Sequence, residues 1–149
     1  TDEPISVTYL GLQDETAPVE QEAVRALKAG RASVTIGPLL TMEAEHGGAV
    51  YGIGDAIPAG AGGELAVSVA VDSSVRAGKW DTGIRDLRLV LTGNNGTAAE
   101  RRLEGLAGSV EKAAFSIPAG GLRWFRAELW GDIRGVRAMI AFTNAIYVE

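Results

Sequence analysis

Residues 64–72 read ELAVSVAVD, and Leu65, Val67, Val69 and Val71 alternate there with smaller or polar residues. A period of two is typical of a β-strand with one face in a core and the other in solvent. The valines also favour the extended backbone, because β-branched side chains fit a pleated surface. The stretch therefore predicts a half-buried strand.

The stretch that follows predicts a β-hairpin. In IRDLRLVLTGNNGTAAERRLEG, residues 84–105, Leu87, Leu89 and Leu91 fall on one face, which we expect to meet the core. Asn94-Asn95-Gly96 supplies turn residues at the tip.

Three further strands are predicted towards the C-terminus. Residues 110–118 place Ala113, Phe115 and Ile117 on one face and stop at Pro118; residues 121–132 place Phe125, Ala127 and Leu129 on one side; residues 137–148, RAMIAFTNAIYV, are nearly all apolar. The last composition predicts a central strand that is covered on both faces.

A strand and a short helix are predicted at the N-terminal end. Ile5 to Leu12 is rich in β-branched and aromatic residues, and Pro18 suits the first turn of a helix. Gly30 stands where a left-handed residue would end that helix. Further strands are expected at residues 32–36 and 39–46, and residues 49–63 are expected to be a short strand followed by a loop, with no helix after Gly30. The sequence thus predicts a mainly β protein, an antiparallel β-sandwich of eight or nine strands preceded by one strand and one short helix.

Composition excludes several classes of function. The chain has 149 residues, which suits one ordinary domain, and its net charge of −5 argues against nucleic acid or an anionic membrane as partner. There is no cysteine, so disulfides and thiolate chemistry are excluded. The single histidine, His46, rules out most histidine-based metal sites and most Ser-His mechanisms.

Several short motifs together carry a resemblance to a known family. They are ALKAGR at residues 26–31, TIGP at 35–38, GIGD at 52–55, WFRAEL at 124–129 and TNAIY at 143–147. This arrangement resembles the C-terminal part of PHP-type (polymerase and histidinol phosphatase) metal-dependent hydrolases that carry a β-sandwich after the catalytic barrel. Ala145 departs from the family, which often has proline at that position.

The resemblance implies a division of the chain and a role. Residues 1–30 would be the tail, a strand plus a helix, of a preceding catalytic barrel, and residues 31–149 the C-terminal sandwich. The sandwich would be a non-catalytic accessory domain that packs on the barrel of the same polypeptide or supports a homodimer. Because this chain has one histidine and no His-x-His pair, it would hold no cofactor, and the family's divalent metals would belong to the upstream domain.

Five residues are candidates for an interdomain or dimer interface: Arg31, Trp124, Arg126, Trp130 and Asn144. Arg31 stands between the helix end and the first sandwich strand, where a guanidinium can bridge the carbonyls or carboxylates of two modules. The other four lie on the strands that carry the resemblance.

The face formed by Trp124, Arg126, Glu128 and Trp130 admits three interpretations. Aromatic rings can stack on sugars, so a carbohydrate-binding module that uses Trp124 and Trp130 is the alternative function. The second interpretation is a protein interface, because tryptophan and arginine are both enriched there. Ordinary pairing across neighbouring strands is the third interpretation. A small active hydrolase is a weaker rival, because a single histidine leaves little catalytic machinery.

The remaining motifs predict structure rather than chemistry. His46 is expected to face solvent near a turn, and GIGD is expected to be a turn in which Asp55 bonds locally. Asn95-Gly96-Thr97 matches a glycosylation sequon but also suits a hairpin tip. Asp81 and Asp86 would bind calcium only with more oxygen ligands than their stretch offers.

Overall fold

The computed structural model describes residues 7–10, 21, 30–35, 37–58, 62–74, 84–104 and 110–149. Twelve strands lie in these ranges. They are β1 (Val7–Leu10), β2 (Ala32–Thr35), β3 (Leu39–His46), β4 (Ala49–Gly52), β5 (Ala56–Ile57), β6 (Glu64–Asp72), β7 (Arg85–Gly93), β8 (Gly96–Arg102), β9 (Val110–Pro118), β10 (Trp124–Ile133), β11 (Val136–Thr143) and β12 (Ile146–Val148).

Eight of these strands form the larger sheet, with β10 at its centre. One edge of β10 pairs with β7, which in turn pairs with β8. The other edge pairs with β11 and then, along its first residues, with β12. β11 continues to β2 and β1, and β12 continues to β5. Both predicted hairpin strands are therefore part of this sheet.

The other four strands form the smaller sheet in the order β4-β3-β6-β9, and all of its pairs are antiparallel. Its inner face supplies Leu65, Val67, Val69 and Val71, each at most 2% exposed. These residues belong to the same core cluster as Phe125 and its neighbours on the larger sheet. The predicted antiparallel sandwich and its half-buried central strand are confirmed.

The core contains most of the side chains that alternation in the sequence places there. The buried set includes Leu87, Leu89, Leu91, Ala113, Ile117, Phe125, Ala127 and Leu129. Phe115 is half-buried at the margin of the cluster. Removing a large apolar side chain from water contributes about 1.5–3 kcal/mol, so this alternation specifies which faces meet.

The structure corrects two features of the predicted order. The apolar stretch 137–148 is not one strand, because it breaks at Asn144-Ala145 into β11 and β12. β5, expected to be loop, pairs with β12 and makes the one parallel pairing among the described strands. Burial against neighbours that are distant in sequence, rather than local composition, decides both.

Parts of the N-terminal prediction fall outside the described residues. The strand expected at Ile5–Leu12 is seen as Val7–Leu10. Of the helix expected after Pro18, Gln21 is described and is helical. No other helix occurs among the residues that the structure describes, in agreement with the expectation for the chain after Gly30.

Candidate functional site

Three of the motifs meet at one place through their residues Gly30, Gly54 and Asn144. They are the motif at the end of the predicted tail, the GIGD motif after β4 and the motif near the end of the chain. Gly30 has a φ of +73°, the left-handed conformation expected of it. A β-carbon at Gly30 would lie 2.8 Å from Asn144 Nδ2 and 3.6 Å from the Gly54 α-carbon. Gly30, Gly54 and Asn144 thus pack directly against one another, although they are far apart in sequence.

Asn144 organises the break between β11 and β12. Its backbone N–H donates to the Ala32 carbonyl at 2.8 Å. Its side-chain Oδ1 accepts the Ala145 N–H at 2.8 Å. Asn144 therefore joins the end of β11 to the start of β2, directly after Arg31, which is half-buried.

The GIGD motif is the third part of this junction. Asp55 Oδ2 accepts the Gly52 N–H at 2.7 Å, as its expected local role requires. The Gly54 N–H donates to the Ala145 carbonyl at 2.9 Å, and the Tyr147 N–H donates to the Asp55 carbonyl at 2.9 Å. We call Gly30, Arg31, Gly54, Asn144 and Ala145 the junction cluster.

The second candidate surface lies on the outer face of the larger sheet. We call Trp124, Arg126, Glu128, Trp130 and Phe142 the aromatic face. Glu128 is 5% exposed, although it points away from the sandwich core. Its two oxygens accept from Arg126 Nε and from Trp130 Nε1, both at 2.9 Å. The Arg126 guanidinium also lies over the Phe142 ring, 4.9 Å from its centroid.

This arrangement limits what the aromatic face can bind. Glu128 already accepts hydrogen bonds from the Trp130 indole and from Arg126 Nε, so these polar groups are already paired within the chain. The rings of Trp124 and Trp130 stay half-buried and lie on the same side of β10. The sequence predicted this shared side, but alternation alone could not reveal that Glu128 would be buried.

An ion-pair network lies beside the aromatic face, at a bulge in β7. Asp86 has a φ of +51°, and its carboxylate lies 3.5 Å from Arg88, 3.6 Å from Arg102 and 3.7 Å from Arg137. The hydrogen bond to Glu100, together with the charge of Asp86, raises the pKa of the Arg88 guanidinium. Because three arginines surround the Asp86 carboxylate, it is poorly placed to bind calcium, and Asp81 lies outside the described residues.

The other candidates have structural surroundings. His46 Nε2 lies 3.3 Å from the Gly62 carbonyl, near the turn after β3. Asn95 is exposed at the hairpin tip. In the part of the chain that the structure describes, no group of three or more His, Cys, Asp or Glu side chains could hold a metal ion.

A shallow cavity of about 370 Å³ opens on the outer face of the smaller sheet. Its lining includes Thr41, Glu43, Ser68, Ala70 and Lys112. Ser68 and Ala70 give it a floor of small side chains. Glu43 and Lys112 come from β3 and β9, with β6 between them. No sequence motif pointed to this cavity.

Comparison of the sequence with protein-family models gives no match, and no curated protein matches it either. Among the residues that the structure describes, no helix is long and apolar enough to cross a membrane.

Proposed function

We propose that this chain is a non-catalytic accessory β-sandwich of a PHP-like metal-dependent hydrolase, packed on the catalytic barrel of the same polypeptide. The observation that carries the proposal is the junction cluster. The motifs behind the family resemblance are distant in sequence, yet residues 52–55 and 143–147 share a hydrogen bond from Gly54 to Ala145, and Gly30, from the motif at residues 26–31, packs against Asn144 and Gly54.

The position of Arg31 supports an interdomain role. It follows a left-handed glycine, is half-buried and directly precedes β2, so it stands where the chain enters the sandwich. An arginine at such a point can bond the carbonyls or carboxylates of a second module with several donors at once.

The first test is to read the open reading frame upstream of Thr1. The proposal expects a His-x-His pair and further spaced histidines over about one barrel's length, roughly 250 residues. An upstream sequence without those histidines would remove the hydrolase from the proposal.

The second test uses the longer protein. Arg31→Ala should lower the temperature at which the two modules separate, measured by scanning calorimetry. Arg123→Ala is the control, because it is exposed and its side chain makes no bond within the described residues. Identical melting profiles for Arg31→Ala and the unmodified protein would contradict docking through Arg31.

Carbohydrate binding is the second candidate, supported by two half-buried tryptophan rings on one side of β10. Stacking of a sugar on Trp124 or Trp130 would shift tryptophan emission during titration with oligosaccharides. Trp124→Ala should then remove the shift. Emission that stays constant up to saturating sugar would exclude this candidate.

A further inference from the structure

Among the described residues, β9 is an edge strand of the smaller sheet. It pairs with β6 on one side and is the last strand of its sheet. With nine residues it is longer than the edge strands β1, β4 and β8, which have four, four and seven. An edge of this length exposes a row of backbone donors and acceptors to which another strand can pair.

The hydrogen-bond register identifies which groups are free. The Ala119 N–H donates to the Gly63 carbonyl at 2.9 Å and so continues the β6–β9 ladder. Because bonded pairs alternate along an antiparallel ladder, Lys112, Ala114 and Ser116 must present their N–H and C=O groups to the open side. Pro118 fits this register, since its nitrogen then faces the edge, where no donor is needed.

A side-chain contact supports the same register independently. Arg101, on β8 of the other sheet, donates from Nη2 to the Ala114 carbonyl at 3.0 Å. Its guanidinium also lies 5.2 Å from the centroid of the Phe115 ring. Within the described residues, no other group bonds the open-side backbone of Lys112, Ala114 or Ser116.

We propose that this chain forms a homodimer in which β9 pairs antiparallel with β9 of a second copy, across a two-fold axis at Ala114. This register uses the whole strand and joins two smaller sheets into one continuous sheet. It places Lys112 opposite the partner's Ser116, and the reverse on the other side of the axis. No like charges stand opposite each other, so the pairing meets no charge repulsion in this register.

Charge favours a second copy over an unrelated strand. Ser116 Oγ donates to Glu64 Oε2 at 3.1 Å, which holds a carboxylate beside the position that the incoming lysine would occupy. The ammonium of Lys112 in each copy therefore approaches Glu64 of the other. Opposite charges across an interface fix register and orientation.

Arg101 opposes strand pairing at this edge, because it already bonds the Ala114 carbonyl. The Ala114 carbonyl must leave the Arg101 guanidinium before it can accept the N–H of the partner's Ala114. A hydrogen bond to a charged group is stronger than one between neutral groups, and each copy must release one, so this release weakens the dimer. The dimer is accordingly weak in the unmodified chain and tighter without Arg101.

The first experiment is a cross-link in the full chain, which has no cysteine. Ala114→Cys places two thiols at the two-fold axis, within the usual range for a disulfide, and mild oxidation should yield a covalent dimer. Ala66→Cys is the control, because it is exposed on the same sheet face but one strand further from the axis. Equal cross-linking of both variants, or none at Ala114, would overturn the two-fold pairing.

The second experiment measures the dimer constant by sedimentation equilibrium. Arg101→Ala should lower Kd about a hundredfold, about tenfold for each of the two carbonyls released, and Arg102→Ala should leave it unchanged. Adding Ala114→Pro to Arg101→Ala should restore the monomer, because proline removes an edge donor without breaking the β6 ladder. Persistence of the dimer with Ala114→Pro, or a monomeric Arg101→Ala variant over the whole concentration range, would refute the proposal.

Discussion

Arg134 has a backbone conformation that an arginine rarely adopts. It joins β10 to β11 in a two-residue turn, with φ values of 52° at Arg134 and 80° at Gly135. Two positive φ angles define the turn that matches the twist of a hairpin, and they favour asparagine or glycine. The equivalent turn between β3 and β4 has glycine at both positions, Gly47 and Gly48.

Arg134→Asn should therefore stabilise the protein. A left-handed conformation costs an ordinary residue about 1–2 kcal/mol and asparagine less, so we expect the free energy of unfolding to rise by about 1 kcal/mol. Urea unfolding followed by circular dichroism measures the change. Arg134→Ala is the control and should gain little, because alanine keeps the same strain; a gain as large as that of asparagine would point to the arginine side chain instead.

Glu128 is the buried charge on which the aromatic face depends. Glu128→Gln keeps an acceptor but loses the charge opposite Arg126, so we expect a loss of about 1–2 kcal/mol. Glu128→Ala leaves both the Arg126 and the Trp130 donors without their acceptor and should cost about 3 kcal/mol. Urea unfolding gives both values, and Trp130 emission should shift in each variant.

The control for this series is Glu100→Gln on the same sheet. Glu100 pairs with Arg88 at 3.2 Å, but the two side chains are 44% and 38% exposed. Exposed pairs contribute little, so the loss should stay under about 0.5 kcal/mol. Similar losses for the Glu100 and Glu128 amides would contradict a special role for the buried carboxylate.

Single strands of this fold are well specified by the sequence, and their ends are set by local chemistry. Leu39–His46, Glu64–Asp72 and Val110–Pro118 occur with the bounds that alternation predicts. β5 and the break at Asn144 could not be predicted, because both depend on contacts between distant segments. At the break, Thr143 Oγ1 accepts the Ala127 N–H at 3.1 Å, so a side chain replaces a backbone acceptor there.

The β7–β8 hairpin tip shows how one residue can connect two elements. Gly96 supplies the positive φ that the turn needs, +96°, and Asn94 uses its side chain to bond residues outside the hairpin. Asn94 Oδ1 accepts the Arg123 N–H at 2.7 Å, and its Nδ2 donates to the Gly121 carbonyl at 3.0 Å. The hairpin tip thereby fixes the chain that enters β10.

Asn94→Ala should cost about 1–2 kcal/mol, because the Arg123 N–H loses its acceptor and the Gly121 carbonyl loses the shorter of its two donor bonds. Hydrogen exchange should also quicken at the Arg123 amide. Asn95→Ala is the neighbouring control; its weaker bond at 3.4 Å predicts a change within about 0.5 kcal/mol. An Asn95 effect equal to that of Asn94 would show that the tip acts through its turn conformation rather than through the Asn94 side-chain bonds to Arg123 and Gly121.

In the whole molecule, the junction cluster ties together segments that the sequence separates widely. The sequence pointed to Arg31 and Asn144 as candidates, but it could not show that Gly54 packs against Gly30 and bonds Ala145 beside them. The spacing of residues in the sequence does not give the distance between two loops in space. That distance is set by how the two sheets pack at one end. The same limit applies to the β9 edge, because alternation identifies a strand but not its place in a sheet.

Asn144→Ala tests whether this junction behaves as one unit. Loss of the Asn144 side chain removes the bond to the Ala145 N–H and the packing against Gly30, at a cost of about 1 kcal/mol. If the cluster opens cooperatively, the Gly54, Ala145 and Tyr147 amides should all exchange about fivefold faster in native-state hydrogen exchange. Thr97→Ala, an exposed change on β8, should alter none of them. Faster exchange confined to Ala145 would mean that the motifs share a location without sharing stability, and it would remove the physical basis for treating the junction cluster as one unit.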